Sequence, residues 1–572
     1  MNPAHAKKTR GKNGCRTCRS TTPSFRIRRI KCDEGRPSCR RCTSTGRSCD
    51  GYEVASPAIY AAAMKHKGNR PLRPIPTSHD RHLVSVPKSV LSTWTLSAIE
   101  AQGFIFFREH SAQEISGCFN STIWNQLVLQ LSHIEPCILH ATIAVGAMHR
   151  FTRGYCPSLN AAHYLGHGNP LAIQQYIKSL YHLRERLKGP KDLACEQVAL
   201  MTCLLFICLE MLQGNRAGAL AHLQSGLRIL AGLYPPLIKV DRHQNTIMFQ
   251  STPDSTTSAS SQLAVIFARL DYESTMFGQQ SPALTFVSPE SQILSTKRTI
   301  PERFSTIEHA RQFLDTLANA VLGLRGRLLH LASQSTTENI DGDLVHQLCA
   351  NHARARTIDL THHQDITHQQ STLQTSLERW AMVFKLLVRT PRYTDSQPAI
   401  TLELQHFYLY FLASTFRNTH ETHCNRFSGA FRRVTFLAEK LIGGARDAAG
   451  ASTFTLESGI IPSLYLTAMK CRDSRTRNKA IALLEQTTCQ EGMWEGALIA
   501  RFVAEMARLE EQAAGAPDDT KRTVASDVPE SARFCDVVMA LSERIGHGRL
   551  VCARYRHEST GDLQVLEKTF VL

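Results

Sequence analysis

Residues 15–49 read CRTCRSTTPSFRIRRIKCDEGRPSCRRCTSTGRSC and hold six of the 18 cysteines of the chain. Their spacing is C-x2-C-x13-C-x6-C-x2-C-x6-C, formed by Cys15, Cys18, Cys32, Cys39, Cys42 and Cys49. Zinc prefers four thiolates in a tetrahedron, and a C-x2-C turn lets two sulfurs reach one ion. Six cysteines can supply four ligands to each of two ions if two of the sulfurs bind both ions. The spacing therefore predicts a small module built around two zinc ions.

The positive charge of the chain is concentrated around this cluster. The full sequence of 572 residues has 66 Lys and Arg against 49 Asp and Glu, a formal net charge of +17. Residues 1–52 alone carry +11, from four Lys, ten Arg and three acidic residues. A basic end on a nearly balanced body is typical of a protein that binds a polyanion, most often the phosphate backbone of nucleic acid.

The cysteine pattern resembles that of the fungal zinc binuclear cluster family, the Zn(2)-C6 fungal-type transcription factors. The first and fourth cysteines of that family bridge the two ions, which implies that Cys15 and Cys39 bridge here. The resemblance completes the two sites with Cys18 and Cys32 at one ion, and Cys42 and Cys49 at the other. It also implies a nuclear, sequence-specific regulator of RNA polymerase II genes, with two zinc ions as cofactors.

A basic stretch before Cys32 is the predicted DNA-reading element. The family places a short basic helix there, and this sequence has RIRRIK at residues 26–31. Arg28 and Arg29 match the family positions that face the major groove, where arginine donates two parallel hydrogen bonds to guanine, so the resemblance implies a CGG-type site. Other basic side chains are expected mainly to hold phosphates, which positions the module without selecting a sequence. These are Arg19, Arg26, Lys31, Arg40 and Arg41.

The interval between the second and third cysteines is seven residues longer than in the family, and removing Ser20–Arg26 restores the pattern. A twofold longer loop costs about 0.6 kcal/mol of closure entropy, whereas structural zinc contributes on the order of 10 kcal/mol to folding. Zinc binding is therefore expected to survive. DNA docking is more sensitive, because Pro23 breaks a helix that starts directly after Cys18. A genuine insertion and a wrongly assigned splice boundary both stay open.

The rest of the sequence predicts a linker followed by a large helical domain. Residues 53–95 contain five prolines and no heptad pattern, which is typical of a linker. From about residue 96, apolar residues recur at helical spacing. The fold class is mainly α. The predicted organisation is a basic arm at 1–14, the zinc module at 15–52, the linker at 53–95, a helical regulatory domain at 96–510, and an acidic break with a C-terminal segment at 511–572, which has a candidate hairpin around 560–562.

Several helices of this domain are predicted individually. Asn169 and Pro170 begin a helix whose apolar stripe is Ile173, Ile177, Leu180, Leu183 and Leu187. Residues 198–212 are apolar on all sides and predict a central buried helix, paired with a second helix after Gly214. Further helices are predicted near 262–277, 306–333, 371–389, 398–416 and 428–443.

Two short patterns, Phe267–Asp271 and Cys471–Asp473, support a second and looser resemblance. Together with the hairpin at 198–230, they are similar to the all-helical regulatory region downstream of the zinc cluster in many fungal transcription factors. The resemblance implies that residues from about 95 to 510 regulate the DNA-binding end.

Other functions are weighed against these patterns. The sequence has no G-x-S-x-G, P-loop, G-x-G-x-x-G or H-E-x-x-H motif, so an enzyme is not predicted. His362, His363 and His368 are assigned to an exposed polar loop. The apolar run at 198–212 is shorter than the roughly 20 residues of a membrane span, so no membrane partner is predicted.

The expected partners are double-stranded DNA and the transcription machinery. Homodimer formation and a small-molecule effector of the helical domain are left open. The alternative function is a helical interaction scaffold, acting through partner proteins, whose inserted zinc module no longer binds DNA.

Overall fold

The computed structural model describes residues 40–44, 95–119, 121–154, 169–189, 192–233, 240–241, 246–250, 259–274, 284–287, 300–334, 344–361, 363–418, 420–445, 453–515, 528–541, 547–555 and 563–571. The chain divides into two units, residues 1–86 and 87–572. In the first unit the described residues form a one-turn helix, α1, at Arg40–Thr43. The second unit is mostly helical, which confirms the mainly α prediction.

The helices of the second unit, in chain order, are α2 Ala98–Phe106, α3 Ala112–Ser116, α4 Val128–Leu131, α5 Pro136–Thr152, α6 Pro170–Arg186, α7 Leu193–Leu212, α8 Arg216–Leu233, α9 Ala259–Ser274, α10 Ile307–Gln334, α11 Leu344–Arg354, α12 Gln364–Val388, α13 Gln397–Thr415, α14 Ser428–Ala445, α15 Ile461–Lys470, α16 Ser474–Gln486 and α17 Gly496–Ala513. Short π-helical turns lie at Phe107–Ser111 and Ile123–Leu127, and 3₁₀ turns at Glu421–Phe427 and Glu530–Ala532.

Three small sheets complete the fold. Their strands are β1 Val240–Asp241, β2 Thr246–Gln250, β3 Leu284–Val287, β4 Thr453–Thr455, β5 Cys489–Glu491, β6 Trp494–Glu495, β7 Asp536–Leu541, β8 His547–Tyr555 and β9 Leu563–Val571. Each sheet has three strands in sequential order. The last is an antiparallel meander, in which β8 and β9 form the predicted C-terminal hairpin.

Helix α7 is the centre of the first hydrophobic core. Its 20 residues are apolar on nearly every side, and residues from α5, α8 and α9 pack in the same core. Among the described residues it is the one helix long and apolar enough to span a membrane, and 89% of its most apolar window is buried inside the protein. The prediction of a central buried helix is confirmed, and Cys203 and Cys208 lie in it as small buried side chains.

Helix α6 buries a different face from the apolar stripe that its sequence predicts, and of that stripe Leu183 packs against the first core. Asn169 caps it as expected, its Oδ1 accepting hydrogen bonds from the backbone N–H groups of the first turn. However, Ile177 of the apolar stripe is 60% exposed, whereas Gln175 and Ser179 are fully buried. The Ser179 hydroxyl donates to the Cys137 carbonyl of α5 at 2.6 Å. Hydrogen-bond partners on neighbouring helices satisfy the polar groups of Gln175 and Ser179. These side chains can therefore be buried where α6 meets its neighbours, in place of the predicted apolar stripe.

Helices α2 and α5 cross at a pair of glycines. A Cβ at Gly146 would collide with the carbonyl oxygen of Gly103, and a Cβ at Gly103 would lie 3.0 Å from the Ile143 carbonyl oxygen. Two backbones can approach this closely only where neither residue has a side chain.

We expect Gly146→Ala to lower the free energy of unfolding by about 1–3 kcal/mol, because the added methyl group forces the helices apart. The matched control is Gly323→Ala in α10, where nothing lies within 4 Å of the new Cβ. That change should instead raise stability by roughly 1 kcal/mol, through helix propensity. Urea denaturation of both variants measures the difference, and the same sign of effect in both would contradict the close crossing.

A second core forms around α10, α12 and α13, with Trp380 at its centre. The indole N–H of Trp380 donates to the Ala310 carbonyl at 2.9 Å, and its ring stacks on Phe384 at 4.4 Å. Both aromatic residues therefore belong to the core. A third core joins α14, α15, α16 and α17 to strands β7 and β8.

Two further predictions about local structure are wrong in part. The region predicted to be all-helical contains β1–β6, whose strands of two to five residues are too short to show an alternating pattern. The histidine-rich stretch is not a loop throughout, because α12 begins at Gln364 and includes His368. Asp365 in its first turn favours a helix start there, and it pairs with Arg327 of α10.

Candidate functional site

Three of the predicted zinc and DNA-contacting residues lie among the described residues, all on α1. Cys42 is buried, with 4% of its surface exposed, and Arg40 is exposed. A buried cysteine is in keeping with the predicted zinc-binding thiolate, and an exposed arginine is in keeping with the predicted phosphate contact. The side chain of Arg41 lies outside the described residues, as do Cys15, Cys18, Arg19, Arg26, Arg28, Arg29, Lys31, Cys32, Cys39 and Cys49. The zinc and DNA sites therefore stay predictions.

A buried network of charges lies at the other end of the chain. Glu421 is 1% exposed. Its carboxylate accepts from Arg356 at 2.6 Å, from Lys470 at 3.0 Å and from Arg472 at 3.0 Å. Burial alone would raise the pKa of Glu421, but the three cations outweigh burial and hold the pKa well below its ordinary value.

Glu510 of α17 is the second carboxylate of this network and has no exposed surface. Arg472 donates to it at 2.7 Å, Arg477 at 2.6 Å, and the backbone N–H of Phe534 at 2.8 Å. Burial opposes ionisation of Glu510, but the two guanidinium groups outweigh it and lower its pKa. Arg472 bridges the two carboxylates, so that the network is continuous.

The network fixes the segment that precedes β7 onto the helices. Lys470 and Arg356 donate to the Cys535 carbonyl at 2.9 and 2.7 Å. The Glu530 carboxylate accepts from the backbone N–H groups of Glu421 and Thr422. The C-terminal sheet is thus held to the helical body by charged hydrogen bonds as well as by apolar packing.

A cavity of about 580 Å³ lies beside this network, between the helical body and the C-terminal sheet. Residues of α8, α10, α11, α13, α15, α17 and β7 line it, and most of them are apolar or aromatic. This volume is within the range of about 300–1,000 Å³ that is typical of small-molecule sites.

A few polar groups reach the cavity from different elements. His352 of α11 pairs with Asp536 of β7 at 2.9 Å. Burial alone would raise the pKa of Asp536. The interactions with His352, Arg325 and Arg356 outweigh the effect of burial and lower the pKa to about 2. Burial raises the pKa of Tyr408 to about 12, so its phenol stays protonated and able to donate. Burial also raises the pKa of Tyr465. The ring of Tyr465 lies 5.3 Å from that of Trp494.

The sequence patterns did not single out these cavity residues as a site. They come from helices far apart in the chain, and each is an ordinary residue of an amphipathic helix when considered alone. The two patterns that were singled out have structural roles. Arg269 lies 2.7 Å from Asp315, and Arg472 joins the buried network, while Asp473 caps α16.

Comparisons with known proteins give a consistent family. A sequence profile of the fungal-specific transcription factor domain matches residues 106–443. The aspercryptin biosynthesis cluster-specific transcription regulator of Emericella nidulans is 27% identical across 98% of this chain and 96% of its own length. A transcription regulator of Purpureocillium lilacinum is 29% identical across 36% of this chain and 47% of its own length. The transcriptional regulatory protein moc3 of Schizosaccharomyces pombe is 41% identical, but across only 12% of this chain and 14% of its own length. No solved structure matches.

Proposed function

The chain belongs to the family defined by the fungal-specific transcription factor domain, and from this premise we propose that it is a zinc-dependent regulator that binds CGG-type sites in nuclear DNA. Its function as a transcription regulator follows from the family and the relatives' names. The observation that carries the finer proposal is the six-cysteine spacing, with its RIRRIK stretch, ahead of that domain in one chain.

Each part of the basic end has a separate role in this proposal. Two zinc ions, when bound, hold the six cysteines in one fold. Arg28 and Arg29 select bases in the major groove, whereas Arg19, Arg26, Lys31, Arg40 and Arg41 mostly contact phosphates. The exposed Arg40 beside the buried Cys42 supports this division. The partners are double-stranded DNA and the transcription machinery, and the proposed role is regulatory rather than catalytic.

The class of target genes is also a proposal. The relative that aligns along nearly its whole length is named for a biosynthesis gene cluster. Its name supports a group of biosynthesis genes as the target of this chain.

Base selection and phosphate contact can be separated with two variants of the full chain. Arg29→Ala should weaken binding to a CGG duplex by about 1–3 kcal/mol and leave binding to scrambled DNA nearly unchanged, because it removes a base contact. Lys31→Ala should weaken both duplexes alike and reduce the salt dependence, because it removes a phosphate contact. Fluorescence anisotropy at several salt concentrations measures both effects. An equal loss on both duplexes for Arg29→Ala would refute the assignment.

The insertion at residues 20–26 favours one alternative, a helical interaction scaffold whose zinc module no longer docks on DNA. Sequencing the transcript across the codons for Arg19 to Ile27 distinguishes the two functions. A transcript without the codons of the insertion removes the reason for the alternative. If the codons are present, a deletion of Ser20–Arg26 that gains DNA affinity would support it.

A further inference from the structure

We propose that the cavity between α10, α15 and β7 binds a small organic anion, with an acidic group on an apolar or aromatic body. Binding itself does not depend on the proposed function, but its consequence for transcription does. The argument rests on the unbalanced charge of the cavity, on its hydroxyl groups and on its apolar walls.

The charges that line the cavity are mostly positive. Four cationic side chains contribute to its wall, against a single carboxylate, that of Asp536. Two of the cations, Arg356 and Lys470, form ion pairs with Glu421. The other two, Arg216 and Arg325, have no carboxylate oxygen within 4.0 Å among the residues that the structure describes, and Glu495 and Asp536 act on them only over a longer distance.

Arg325 is the strongest candidate for the anion contact. Arg325 is a half-buried residue of α10, and its guanidinium group has no hydrogen-bond partner in the described part of the chain. It lies close enough to Tyr408 and Tyr465 for its charge to oppose the effect of burial on both phenols. A bound carboxylate or sulfonate could accept two parallel hydrogen bonds from a guanidinium group in this position.

The two tyrosines supply donors on the facing helices α13 and α15. Neither hydroxyl has a hydrogen-bond partner among the described residues, although the Tyr408 side chain is buried. Both phenols are protonated at neutral pH, and both line the same cavity as Arg325, so each can donate to an anion bound there. The site therefore combines one charged donor with two neutral donors.

The remaining wall favours an apolar body. Leu328, Phe411, Leu412, Met469, Ile499 and Phe502 line it. Pockets that are mostly apolar with a few convergent polar groups are typical of small-molecule binding. Because residues 535–540, which include β7 up to Ala540, form one wall, a bound ligand would also connect the C-terminal sheet to the helices. That position suits an effector of a regulatory domain.

A pair of fluorescent probes tests the site in the full chain without DNA. Anilinonaphthalene sulfonate carries an anionic group on an aromatic body, and phenylnaphthylamine is the same body without the charge. We expect saturable binding of the sulfonate, weakened about tenfold or more by Arg325→Gln. Binding of phenylnaphthylamine should not change with this variant. Arg325→Lys keeps the positive charge and should retain most of the sulfonate affinity.

The matched control is Arg327→Gln, which removes the same charge two residues away on α10. Arg327 pairs with Asp365 and does not line the cavity, so the sulfonate should bind this variant as it binds the original chain. Equal sulfonate binding by Arg325→Gln and the original chain would overturn the proposal. A loss that is equal for both probes would also overturn it.

A second variant keeps the test decisive if Arg325→Gln fails to fold. Tyr465→Phe removes one hydroxyl from the cavity and should weaken sulfonate binding several-fold, again without changing phenylnaphthylamine binding. An unchanged sulfonate affinity in Tyr465→Phe together with weak binding by Arg325→Lys would refute the site. Because no DNA is present, failure here leaves the proposed DNA-binding function standing.

Discussion

Glu510→Ala is expected to lower the free energy of unfolding of the helical unit by about 3–5 kcal/mol. The change removes the only carboxylate within 4.0 Å of Arg477 among the described residues and one of the two that pair with Arg472. Both guanidinium groups are almost completely buried, so Arg477 would remain charged without a carboxylate partner and Arg472 would keep only Glu421. The Phe534 N–H would also lose its acceptor. Denaturant unfolding followed by circular dichroism measures the loss.

The matched control is Glu439→Ala, which also breaks an ion pair between helices. Glu439 of α14 lies 2.7 Å from Lys479 of α16, but both side chains are largely exposed. Exposed ion pairs of this kind contribute about 0.2–1 kcal/mol. A loss after Glu510→Ala that is no larger than this control would contradict the structural role of the buried network.

The network also predicts the direction of the pH dependence. Glu421 and Glu510 have folded-state pKa values below the ordinary value of 4.5. The unfolded chain therefore takes up protons at a higher pH than the folded chain does. The stability that these carboxylates contribute is present above pH 4.5 and is lost as the pH falls through their folded-state pKa values. Glu510→Gln should make the loss of stability below pH 4.5 less steep, because it removes one of the two titrating carboxylates.

Cys32→Ser is expected to abolish specific DNA binding. A structural zinc site contributes on the order of 10 kcal/mol to folding, so losing one of its ligands should unfold most of the module. Specific affinity should then fall to the non-specific level, a loss of about 10³-fold or more. The zinc content of the purified chain should fall as well, and atomic absorption with DNA titration measures both quantities.

Cys118→Ser is the control for this variant. Cys118 lies between α3 and the second core, and its thiol donates to the Thr401 hydroxyl at 3.5 Å, a contact that a serine can keep. Neither zinc content nor DNA affinity should change in this variant. If Cys32→Ser retains two zinc ions and a preference for CGG, the assignment of the six ligands is wrong.

The helices with the strongest local signals could be predicted from the sequence. The all-apolar run at 198–212 predicts a buried helix whatever its neighbours are, and α7 confirms it. The Asn169–Pro170 cap predicts the start of α6 correctly. The buried face of α6 could not be predicted, because it depends on acceptors such as the Cys137 carbonyl on another helix.

The buried network and the cavity could not be predicted, because both depend on contacts between distant parts of the chain. The sequence predicts that an acidic break begins at residue 511, directly after Glu510. In the structure α17 continues to Ala513, and the Glu510 carboxylate is buried. Arg325 and Tyr465 belong to different helices, and only the fold brings them to one cavity. The proposed zinc module is the reverse case, because the cysteine spacing that predicts it is a local feature of the sequence.

The most direct measurement of the central claim is competition binding by the full chain at moderate salt. A labelled CGG duplex is challenged with unlabelled CGG or scrambled duplex, first with zinc and then after chelation. Zinc-dependent recognition predicts at least about a thousandfold preference for CGG, lost on chelation and restored by added zinc. Equal competition by scrambled DNA in the presence of zinc, or a preference that survives complete removal of zinc, would contradict the account.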